Sequence, residues 1–175
     1  MPDTAELLRP GSPSHAGNAL TEQRNLRFAV GTFATWQQLR LTLHDLRLRG
    51  QALDSFNCLA LKSVFAGKTI IAPSQQRVGI QELAFPGNPE LFGCTSGPLA
   101  DRLTERLQSG APSLEDALGL WLVPRHAAHY EEAVEGGKIL LWIRLVDADN
   151  ERCAYQSLLA NSADSVGVHD LLPSP

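Results

Sequence analysis

Lys138-Ile139-Leu140-Leu141-Trp142-Ile143-Arg144-Leu145-Val146 is the stretch on which the fold turns. Apolar side chains occupy both parities of the run, so a strand here buries both of its faces and belongs in the middle of a sheet. Downstream, Asp147 or Asp149 offers an N-cap to a helix reaching about Ala160. Ala154, Ser157, Leu158 and Asn161 are spaced to face a core, with Asn161 as a left-handed stop. Asp164 to Leu171 then alternates Val166 and Val168 against Gly167 and His169, which reads as a strand. The unit is strand–helix–strand.

The start of the chain follows the same plan. Leu26, Phe28, Val30 and Thr32 share one face of a strand from Leu26 to Phe33. Thr35 and Gln38 have the spacing of a capping box, in which hydroxyl and side-chain amide each satisfy an orphan amide of the first turn. Trp36, Leu39, Leu43 and Leu46 recur at helical spacing, and Gly50 can take the left-handed conformation that ends the helix. A second strand is expected from about Asp54 to Val64. Two split units predict an α+β fold, a ferredoxin-like four-stranded antiparallel sheet with helices on one face. A long loop/helical insert, about residues 65–137, separates the two βαβ halves. Right-handed crossovers put the first and third strands in the middle. The second sheet face is then open, and its apolar residues need either the insert or another subunit. The expectation is a homo-oligomer joined through the open sheet face.

Residues 65–97 of the insert are punctuated by Gly67, Pro73, Gly79, Pro86, Gly87, Pro89, Gly93 and Gly97, predicting a long loop with at most one short strand at Gly79 to Phe85. Helices are expected at Leu99 to Leu107, after Ser113 with Asp116 as cap partner, and from Pro124 to Gly136-Gly137. Residues 1–24 read as a mobile tail, 25–171 as a single domain, and 172–175 as a C-terminal tail.

The 175 residues, 43% hydrophobic and 19% charged, suit one globular domain and exclude collagen, wholesale disorder and a disulfide scaffold. A net charge of −4 argues against nucleic acid and anionic membranes as partners. Three cysteines without a CxxC, together with the lack of an export signal or a spanning apolar run, predict a cytoplasmic protein.

Sites of chemistry are few. His126, His129 and Glu132 lie three apart on one expected helix, so two imidazoles and a carboxylate face one divalent metal, with Cys94 and His169 as distant contributors. The bland reading is a solvated helix face. Gly67-Lys68-Thr69 has the tail of a phosphate-binding loop, but Lys62 stands where the motif needs glycine and Ile70-Ile71-Ala72-Pro73 cannot open the helix. Ser96 lacks the first glycine of a nucleophile elbow. Arg40, Arg47 and Arg49 with His44 read as a solvated face of the first helix.

Leu122-Val123-Pro124-Arg125-His126, Tyr130-Glu131-Glu132-Ala133-Val134 and Gly136-Gly137-Lys138-Ile139-Leu140-Leu141 occur in an order that resembles the bacterial general-stress-protein-like domains. Ala29-Val30-Gly31-Thr32-Phe33 and Val166-Gly167-Val168-His169-Asp170-Leu171 extend the likeness to about residues 25–63 and 112–171. The resemblance implies a ferredoxin-like sheet, no assigned chemistry and a stress-associated or regulatory role. The reading is a non-enzymatic, cytoplasmic binding module without a cofactor, acting through self-association or a partner. The alternative is a metal-dependent or small-ligand-binding protein or enzyme, its pocket between the sheet and the insert near His126 and His129.

Overall fold

A computed structural model describes residues 26–51, 55–70, 77–161 and 163–171 of the chain. The expected tails, 1–24 and 172–175, lie outside the described residues, as does Asp54. The elements are β1 (Leu26–Phe33), α1 (Trp36–Leu48), β2 (Phe56–Leu61), a 3-10 turn (Lys62–Phe65), β3 (Ile80–Leu83), β4 (Phe92–Thr95), α2 (Pro98–Gln108), α3 (Leu114–Leu118), α4 (Pro124–Glu135), β5 (Ile139–Leu145), α5 (Ala148–Ala160) and β6 (Val166–Leu171).

The sheet has six strands in the order β3-β4-β2-β5-β1-β6, every neighbour antiparallel. This corrects the four-stranded, ferredoxin-like expectation. The insert adds two strands to the β2 edge. Helices cover both faces, not one. The alternation of β1 and β5 sorts the core. Phe28, Val30, Leu140 and Trp142 pack with Leu99, Leu103, Leu114 and Tyr130 from α2, α3 and α4. Ala29, Phe33, Leu141 and Ile143 pack with Leu39 and Leu46 of α1 and with Ala154 and Leu158 of α5. The face expected to be open for self-association is therefore filled by the insert helices. The two-sided apolar run of β5 needs both layers, and Trp142 is fully buried.

Local signals fix the helix starts. Thr35 Oγ1 accepts from the Gln38 amide at 3.2 Å, and Gln38 Oε1 accepts from the Thr35 amide at 3.2 Å. Asp147 caps α5, accepting from the Asn150 amide at 2.7 Å. The stop of α5 differs from expectation, because Asn161 has φ −101° and is not left-handed. β2 is also shorter than expected, since the chain turns into the 3-10 segment at Lys62. Gly31 lets α5 lie against β1, where an added Cβ would come within 2.7 Å of Leu158.

Candidate functional site

The first turn and a half of α4 carries His126 and His129 over the outer part of the sheet. His126 is half-buried and stands edge-on to His169 of β6, with ring centroids 5.2 Å apart. His129 is exposed and tilts against Tyr130 at 5.7 Å. Glu132 is exposed and borders a shallow dent of about 230 Å³ with His129, Gly136 and Lys138. Among the described residues no three His, Cys, Asp or Glu side chains are grouped so as to hold a metal ion. The His126 imidazole turns toward β6 and that of His129 toward solvent. Cys94 is buried in the core layer facing α2, α3 and α4, and its thiol is pushed up by burial.

What the fold does assemble is an aromatic cluster at the junction of α4 and β6. The Tyr130 hydroxyl lies 2.8 Å from His169 Nε2, within hydrogen-bond distance. Trp142 of β5 closes the group, 5.6 Å from the Tyr130 ring and 6.2 Å from His169. The small residue Gly167 makes room, since a Cβ there would meet His169 Nε2 at 3.0 Å. Burial holds His169 down to about 4, with His126 adding to the effect and Asp170 opposing it. Burial pushes Tyr130 up to about 12. Near neutral pH both groups are therefore uncharged, and the phenol donates to a neutral imidazole. Such a pair clamps a helix to a strand.

The remaining sequence candidates fall apart in space. Ser96 Oγ donates to the Gly79 carbonyl at 3.3 Å and has no base in that contact. Gly67-Lys68-Thr69 follows the 3-10 turn in non-helical backbone, and residues 71–76 lie outside the described residues. Sequence reasoning placed Tyr130 on the helix that starts at Pro124 and His169 on the last strand, but gave no signal that they meet. Their contact depends on β6 lying beside β1 under α4.

No known protein family, no curated protein and no solved structure matches this chain. No helix among the described residues is long and apolar enough to cross a membrane.

Proposed function

We propose that the chain is a non-enzymatic, cytoplasmic binding module of stress-associated or regulatory type, which pairs with a second copy of itself along the edge of β6. The observation that carries this reading is the state of that edge. β6 is paired to β1 on one side and, among the described residues, has no strand on the other. Edge strands are ordinarily guarded against pairing by free charges, prolines or bulges. Here the one carboxylate of the strand, Asp170, is held by Arg27 at 2.9 Å. His169, its ionisation depressed to about 4, brings no charge at neutral pH. Val166, Gly167 and Val168 complete a half-buried, uncharged run. The opposite edge contrasts, since β3 is only four residues long.

Two β6 edges meeting antiparallel about a two-fold axis satisfy the free amides and carbonyls of both strands. The closed sheet faces leave such an edge as the place where the fold continues. The neutral Tyr130–His169 pair supports a binding role, because its hydrogen bond steadies the strand that would pair. The resemblance to general-stress-protein-like domains supports the stress-associated part of the reading. Light scattering of the purified chain at micromolar concentration tests it. The expected mass is that of a dimer, falling to a monomer in Val166→Lys and, separately, in Val168→Lys, with circular dichroism unchanged. A wild-type monomer, or a dimer indifferent to both substitutions, overturns it.

A further inference from the structure

Independently of β6, a cleft of about 600 Å³ opens between α1 and the loop at residues 67–70. Trp36, Arg40, His44 and Arg47 line one wall, and Lys68 and Thr69 line the other. The four α1 residues follow one another at spacings of four, four and three, so they share a face of the helix. No carboxylate lines the cleft among the described residues. Nor do Arg40, Arg47 and Lys68 have an ion-pair partner among them, whereas Arg27, Arg49 and Arg152 each hold a carboxylate. In a chain of net charge −4 this is a local reversal of sign. Two features that look unrelated in the sequence, the basic face of the first helix and Gly67-Lys68-Thr69, are brought opposite each other by the fold.

The arrangement is a row. Arg40 and Arg47 stand two turns apart, about 10 Å along the helix axis. That span exceeds one phosphate and suits linked phosphates. Trp36 lies at one end of the row, half-buried and edge-on to Phe65 at 6.2 Å. An aromatic surface followed by a line of guanidinium groups matches a ligand with a flat ring at one end and phosphates at the other. The volume lies within the range of small-molecule sites, roughly 300–1,000 Å³.

We propose that this cleft binds a nucleoside diphosphate, its base against Trp36 and its phosphates along Arg40 and Arg47, with Lys68 closing from the opposite wall. The recognition is by the backbone-independent chemistry of ring and phosphate, and no bond is made or broken. Titration calorimetry of the full chain with ADP, adenosine and inorganic pyrophosphate in low-salt buffer tests the site. ADP is expected to bind, with adenosine and pyrophosphate each weaker by about tenfold or more. Arg40→Gln with Arg47→Gln is expected to weaken ADP by about a hundredfold, two charge-assisted contacts at roughly tenfold each. Removing the same charge elsewhere, by Arg125→Gln with Arg152→Gln, is expected to leave ADP binding within about twofold, as screened distant charges should. Trp36→Leu should weaken ADP and leave pyrophosphate unchanged. The proposal is overturned by absence of ADP binding, by an equal loss in the control pair, by pyrophosphate binding as tightly as ADP, or by a short oligonucleotide binding more tightly than ADP.

Discussion

His169 stores a pH dependence in one side chain. Its folded-state value of about 4 lies below the ordinary imidazole value of about 6.5, because burial and the neighbouring His126 disfavour the cation. Between these values the unfolded chain takes up a proton that the folded chain refuses. The stabilising contribution is therefore complete above about pH 6.5 and is lost as pH falls toward 4. Thermal melts of the wild type should show Tm declining over that window. His169→Gln, which keeps a polar partner near Tyr130, should decline less steeply between the same pH values. Equal slopes in the two proteins would show that His169 is not the group responsible. The helical spacing made His126 and His129 conspicuous in sequence, yet it is His169, in a strand, that burial holds down to about 4. Nothing local could reveal this, since the burial comes from Tyr130 and Trp142, far away in the chain.

At the scale of elements, the joint between β2, β4 and α2 rests on one buried amide. Asn57 Nδ2 donates to the Thr95 carbonyl at 2.6 Å, and its Oδ1 accepts from the Leu99 amide at 3.3 Å. Thr95 Oγ1 accepts from the Cys58 amide at 2.8 Å. Gly97, at φ 147°, takes the chain between β4 and α2, and a Cβ there would strike Asn57 at 2.8 Å. Asn57→Ala leaves a buried carbonyl and a buried helix-start amide without partners. The expected cost is about 2–4 kcal/mol in denaturant unfolding, from two unsatisfied groups. A cost below about 1 kcal/mol would mean that water replaces the amide. This joint also marks where the sequence stopped being readable. The capping box of α1 and the helical spacings of α1, α2 and α4 were legible because they are local. Phe92-Gly93-Cys94-Thr95 was not, being a short run without alternation between Pro89 and Gly97. Its status as a strand comes from pairing with Leu59 to Leu61 across the loop. Missing that pairing is what reduced the expected sheet to four strands, while the bare face came from leaving the insert helices unplaced against it. The doubly apolar β5 already argued against a bare face.

The whole molecule is two cores divided by one sheet, and the cysteines report on each. Cys94 lies in the layer beneath α2, α3 and α4, and Cys58 in the layer beneath α1 and α5. Both are buried and their thiols are pushed up by burial, while Cys153 is half-buried on α5. Native protein mixed with a thiol reagent should label Cys153 first, and Cys58 and Cys94 only on opening of the fold. Because the layers share β1, β2 and β5, the two slow thiols should react at the same rate when followed by peptide mass. A faster Cys94 would indicate that the insert opens as a separate unit.

The strand order carries a further consequence, for synthesis. Both neighbours of β1 are β5 and β6, and Arg27 lies opposite Leu145. When β1, α1 and β2 leave the ribosome, β1 has nothing to pair with until most of the chain has followed. Its apolar faces must wait while the whole insert is made, at roughly 5–20 residues per second. A strand translated well before its partners is thus among the last to find its place, and a nascent chain halted before β5 would hold an orphan strand for chaperones to shield.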